Sequence, residues 1–245
     1  MRQLNGNGPA LVEVKDPVSY RMRGTCWEKV MVKRLVMSLI VSLAAGFAQA
    51  QSTAGVEYRE FSTPQPTETA GKIEVIEFFS YLCPHCYNFE PALKSWVKKL
   101  PKDTQFRRVP AMFSDDYAQA ARAYYALEAI GEAERLHTAL FDAVHAGPRL
   151  RVGNEAALTE WLGKQGVDTK QFAAAYRSFS VESKLKRAAQ LTQAYKIDAV
   201  PSIAVNGKYV VITDNMKSLE QILGVSDYLV ERSRKHDSNM VAKKK

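Results

Sequence analysis

Apolar positions change their period several times along this chain. Tyr58 to Phe61 is a short strand candidate, followed by a loop marked by Pro64, Pro66 and Gly71. Ile73 to Phe79 is almost continuously apolar, rich in β-branched and aromatic residues. That texture predicts a strand covered on both faces, as in parallel sheets. The strand stops at Ser80. Phe89, Leu93, Trp96, Val97 and Leu100 then recur three to four residues apart, which predicts a helix opening at Pro84 and finished by Pro101. Pro91 lies inside it and should kink it. Thr104 to Val109 is a further strand candidate, ending before Pro110.

From Ser114 the pattern is helix after helix. Asp115 or Asp116 is expected to cap one that runs through Tyr124 and Leu127 and closes at Gly131. A second spans Glu132 to about His145. Asn154 should cap a third and Asp168 a fourth, and Ser180 should start a fifth reaching Tyr195. Strand texture returns from Ala199 to Ile212, where Asn206-Gly207 sits between two β-branched runs, a strong hairpin signal. Ser218-x-x-Gln221 opens a last helix through Leu223 and Tyr228. This order predicts an α/β fold: residues 51–113 form the first part of a sheet domain, 114–186 an all-helical insertion and 187–232 the second part. Residues 233–245 are expected to be a disordered basic tail.

The segment before residue 51 changes what counts as the mature protein. Met31-Val32-Lys33-Arg34, an apolar run from Leu35 to Phe47 and Ala48-Gln49-Ala50 have the three regions of a cleavable export signal. Cleavage is expected after Ala50, and residues 1–30 read as an upstream extension that is not part of the fold. The whole chain has 34 Lys and Arg against 26 Asp and Glu. Seven and three of these precede residue 51, leaving 27 against 23. A diffuse excess of four positives argues against nucleic acid as a partner.

Cys26 falls in the removed segment, so the exported chain keeps only Cys83 and Cys86, two residues apart at the start of the predicted helix. A zinc site needs four ligands, and there is no second Cys pair, while His137, His145 and His236 are scattered. Haem attachment needs a His after the second Cys, where Tyr87 stands. A structural disulfide is possible, but so short a loop gains little entropically. Redox chemistry suits the position best. Unpaired N–H groups and partial positive charge at a helix start favour a thiolate at Cys83, with His85 as a further donor and Pro84 fixing the turn. Cys86, one turn deeper, should stay protonated and resolve a mixed disulfide. Were the Cys83 pKa about 4, the reduced form would gain about 4 kcal/mol at neutral pH, or roughly 90 mV toward oxidising.

Glu77-Phe78-Phe79-Ser80, Cys83-Pro84-His85-Cys86, Val200-Pro201 and Val205-Asn206-Gly207-Lys208-Tyr209, in this order, resemble the DsbA family of periplasmic thiol:disulfide oxidoreductases. The resemblance spans essentially the whole chain after the export signal. It implies a thioredoxin-like fold with an inserted helical subdomain, and a monomer with no cofactor or metal beyond the Cys83–Cys86 disulfide. It implies a cis Val200-Pro201 peptide that presents Val200 to an extended substrate, and a buried Glu77 that relays protons to the deeper thiol. Family members often pair this acid with a Lys on the next strand. Here that stretch is Gln105-Phe106-Arg107-Arg108-Val109, with no Lys, and whether Arg107 or Arg108 substitutes depends on which way each points. The implied activity is donation of the disulfide to newly translocated proteins with free cysteines, with reoxidation by a DsbB-like membrane quinone reductase. A periplasmic reductase or isomerase, or a non-catalytic holdase for unfolded chains, is the alternative. Tyr81, Leu82 and Phe113 are candidates for a substrate groove, with core packing as the competing role.

Overall fold

The computed structural model describes residues 52–242 except 148, 215 and 217, with the backbone alone at 237–242. The export signal, its cleavage point, the upstream extension and Cys26 lie outside the described residues, as do Lys243 to Lys245. Five strands form one mixed sheet: β1 (Tyr58–Glu60), β2 (Ile73–Phe79), β3 (Thr104–Pro110), β4 (Ser202–Val205) and β5 (Tyr209–Val211), in the order β1-β5-β4-β2-β3. Only β2 and β3 run parallel. Seven helices are described. They are α1 (Pro84–Val97), α2 (Asp115–Ala129), α3 (Ala133–His145), α4 (Glu155–Lys164), α5 (Thr169–Tyr176), α6 (Phe179–Ala194) and α7 (Leu219–Ala242).

The almost continuously apolar run of β2 is explained by cover on both sides of the sheet. On one face Val75, Ile203, Val205 and Val211 pack with Phe89, Leu93 and Trp96 of α1 and with Ile222 and Leu229 of α7. On the other, Ile76, Phe78, Ala204 and Val210 join the core of the helical block. Tyr195 binds the two parts together, its ring 5.4 Å from that of Phe78. The hairpin between β4 and β5 turns on Asn206 (φ 52°) and Gly207 (φ 69°), the two left-handed residues that a type I′ turn needs. Only glycine fits the second position, because a Cβ there would stand 2.1 Å from the Gln65 carbonyl oxygen.

Three expectations at helix ends are corrected. Ser114, not Asp115 or Asp116, caps α2, its hydroxyl accepting from the Tyr117 N–H, while both aspartates occupy the first turn. Ser178, not Ser180, caps α6, and that helix runs to Ala194, beyond the expected end of the insertion at 186. In both places a Ser stands immediately before the helix, where its short hydroxyl reaches the free N–H groups. Within the segment expected to be a disordered tail from 233, α7 continues to Ala242. No Gly or Pro follows Gly224 to stop it, and Ser233 is buried with its hydroxyl on the Leu229 carbonyl.

Leu229 has no exposed surface, whereas Phe179 is 84 % exposed. Leu229→Ala is therefore expected to cost about 2–5 kcal/mol. Phe179→Ala should stay within about 0.5 kcal/mol of the parent, both read by urea unfolding.

Candidate redox site at the start of α1

β2 ends, the chain turns through Ser80 to Leu82, and α1 begins at Pro84. Cys83 is its N-cap, in extended conformation (φ −91°, ψ 115°), and its Sγ accepts the Cys86 N–H at 3.3 Å. Pro84 stands in the first turn, where a missing N–H costs nothing, and no acidic residue occupies that turn to oppose an anion. Cys83 is 6 % exposed and Cys86 fully buried, both as free thiols. Pro84 and His85 face solvent.

The two sulfurs are driven apart in acidity. Hydrogen bonding from the Cys86 thiol, reinforced by the Cys86 and His85 N–H groups and by His85 charge, pulls the Cys83 pKa down to about 6, against its burial. Burial pushes Cys86 well above the ordinary thiol range, aided by its bond to Cys83 and by negative charge on Cys83 and Glu77. One proton is thus held on Cys86 while Cys83 carries the charge.

The Val200-Pro201 peptide is cis, and the Cys83 thiol lies 3.3 Å from the Val200 carbonyl oxygen as a donor to it. The antiparallel register of β4 on β2, with Ser202 opposite Phe78, carries the preceding residues up to the sulfur. Val200 is half-buried and Pro201 buried.

Below the cysteines lies a buried polar cluster. The parallel register sets Arg108 beside Glu77 on one face of the sheet, and Nε donates to the Glu77 carboxylate at 3.1 Å. Arg107, one residue away, points to the other face and pairs with Glu74 at 3.0 Å. Arg108 therefore occupies the place expected of a basic partner. It also reaches Glu90 on α1 at 3.2 Å and Glu134 on α3 at 2.8 Å. Burial pushes the Glu77 pKa up to about 8, outweighing Arg108. Glu90, also buried, is nonetheless held below the ordinary carboxylate range by His137 and Arg108. His137 is kept neutral, chiefly by burial. Its Nδ1 shares a 2.8 Å hydrogen bond with the Tyr81 hydroxyl, and its Nε2 is 3.5 Å from Glu90.

Four side chains near the cysteines were not legible as site residues. His137 and His145, scattered in the sequence, lie on one helix eight residues apart with Phe141 between them, a spacing of three aligned positions on a helical face. His145 Nε2 bonds to the Tyr81 carbonyl at 2.9 Å and its ring stacks on Tyr87 at 5.2 Å. Glu90 sits four residues after Cys86, hence one turn below it on the same face. Burial, aided by negative charge at Cys83, raises the Tyr117 pKa. Tyr117 packs on Phe113, 39 % exposed, at 5.2 Å. Of the expected groove, Tyr81 is core and Leu82 half-buried, so Phe113 is its exposed member. Among the described residues no group of three or more His, Cys, Asp or Glu side chains is arranged to hold a metal ion.

The Cys83 acidity can be read from thiolate absorbance at 240 nm in the reduced protein. One titration with a midpoint near pH 6 is expected, moving upward in His85→Ala. A midpoint above 8 in the parent would contradict the helix-end geometry.

A family profile described as a DSBA-like thioredoxin domain matches residues 100–224, which begin after the cysteine turn. Curated relatives extend across it. The chain is 41 % identical over 207 residues to the thiol:disulfide interchange protein DsbA of Burkholderia cepacia, covering 82 % of this chain and 97 % of the relative. It is 40 % identical over 213 residues to that of Azotobacter vinelandii, covering 83 % and 99 %. The crystal structure of Pseudomonas aeruginosa DsbA superposes with a TM-score of 0.74 at 36 % identity, covering 78 % of this chain and 98 % of that one. With the paired thiols at the helix start, these relationships make the chain a member of the DsbA family of thiol:disulfide interchange proteins and a protein disulfide oxidoreductase.

Proposed function

We propose that the protein donates the Cys83–Cys86 disulfide to newly exported proteins in the periplasm, where the signal-like segment at residues 31–50 would deliver it. The observation that carries this direction is the unequal acidity of the two thiols. A substrate thiolate attacks Cys83 Sγ, the Cys83–Cys86 bond breaks, and its electron pair leaves on Cys86. Glu77, with a pKa near 8, supplies the proton that Cys86 takes. The substrate's second thiolate then attacks its own sulfur in the mixed disulfide and releases Cys83 as thiolate. Two electrons have passed from substrate to enzyme; both substrate protons have gone to solvent, and one proton returns from solvent to Glu77 to replace the one it gave Cys86. The Val200 backbone, beside Cys83, is placed to align an extended substrate. A DsbB-like membrane quinone reductase would take the electrons back, and monomeric action needs no further subunit.

The magnitude is smaller than a thiol of pKa 4 would provide. Burial of Cys83 works against the helix end, so its pKa of about 6 lies only one unit below neutral pH. Ionisation then favours the reduced form by at most about 1.4 kcal/mol, or about 30 mV, and solvent screening reduces this further. A strongly oxidising potential would need an additional penalty on the disulfide form.

The test is equilibration of the Cys83/Cys86 couple with a glutathione redox buffer. A potential well above the glutathione couple, with activity abolished in Cys83→Ala, is expected. A potential near −270 mV, the thioredoxin range, would make the protein a reductant and end the proposal. The linked stability difference has a defined sign. A depressed thiol pKa stabilises the reduced fold above the unfolded value and loses that contribution as pH falls through the folded one. Reduced minus oxidised stability in urea should therefore grow between about pH 6 and pH 9.

A further inference from the structure

At the far end of α1 from the cysteines an open cavity of about 660 Å³ is bounded by the last turns of α1, the start of β3 and the chain before β2. Its rim carries Lys72, Lys94, Lys98 and Lys102, and its lining reaches inward to Arg108. The single carboxylate in the lining is Glu134, 81 % exposed, which reaches over to Arg108 Nη1 at 2.8 Å. Among the described residues none of the four lysines is in an ion pair. The polar partners of Lys72 and Lys94 are neutral, the Gln105 side-chain carbonyl and the Thr138 hydroxyl.

A bland account covers part of this. Lys94 and Lys98 suit the C-terminal end of a helix, where cations meet free carbonyls. It does not account for Lys72 and Lys102, which precede β2 and β3, nor for a guanidinium 93 % buried at the floor. Arg108 is held rigidly there, 5.1 Å over the Phe106 ring and tied to Glu77 and Glu90, with Nη1 turned to the solvent-exposed Glu134. A planar fork beneath a ring of flexible ammonium groups is complementary to a small oxyanion of several charges.

We propose that this cavity is a binding site for a small multivalent phosphate-type oxyanion, which displaces Glu134 from Arg108 and is gathered by the four lysines. Its lysine rim stands at the C-terminal end of α1, away from Cys83, while its floor is the same Arg108 that pairs with Glu77 and Glu90 beneath the cysteines.

The probe is inorganic pyrophosphate, titrated calorimetrically into the whole exported chain against sodium chloride of matched ionic strength. Saturable one-to-one binding is expected. It should weaken about tenfold in the exposed double variant Lys98→Gln/Lys102→Gln, whose melting temperature checks that the fold is kept. It should tighten about threefold or more in Glu134→Gln, which removes the competing carboxylate. An unchanged or weaker affinity in Glu134→Gln overturns the proposal. Absence of saturation in the parent chain overturns it too. A parallel titration with phosphatidylglycerol vesicles separates a free anion from a lipid headgroup, and binding to vesicles without binding to pyrophosphate would assign the lysines to a membrane surface instead.

Discussion

The arrangement depends on one buried contact, the guanidinium of Arg108 beside Glu77, directly under the redox turn. Such a pair is a poor way to gain stability, because two desolvated charges recover little more than they lose. Removing one partner is different, costing about 3–5 kcal/mol by leaving a charge alone. Here the guanidinium must also answer Glu90, so one cation is shared by two buried acids. The unequal solution is that Glu90 keeps its charge and Glu77 holds a proton near neutral pH. That carboxyl adds to the rise of the Cys86 pKa whenever it is ionised.

The opposite condition holds at the end of β2 above it. At the start of α1 the backbone presents donors, no acid occupies the first turn, and negative charge settles on Cys83. Anion at the helix end and raised carboxyl pKa beneath it are built by the same two elements, since β2 carries both Glu77 and the turn. Sheet and helix are in turn locked by packing, with Phe89 and Leu93 of α1 buried against the strand face that holds Glu77. Displacement of α1 along β2 would separate thiolate and acid together.

Much of this was legible in residue order. The C-x-x-C at a strand-to-helix step, the Asn-Gly hairpin and the caps at Asn154 and Asp168 all appear where local chemistry places them. Local reasoning failed where two good answers stood side by side. Ser114 and two aspartates compete for one cap, and the hydroxyl before the helix wins because the acids gain equally from sitting in its first turn. For α7, polarity suggested disorder, but a continuous backbone with no breaker and a buried face carries the helix on.

The sequence by itself determined the reactive pair, its place at a helix start and the strand that presents it, because these rest on contacts a few residues apart. Only the tertiary structure decided which arginine meets Glu77, since that follows from the β2–β3 register and the side to which each side chain points. Likewise only packing could bring His137, Glu90 and Tyr117 to the site, or set Lys72 beside Lys98. Those residues stand on different elements far apart along the chain, and nothing in local spacing encodes which faces a closed core will press together.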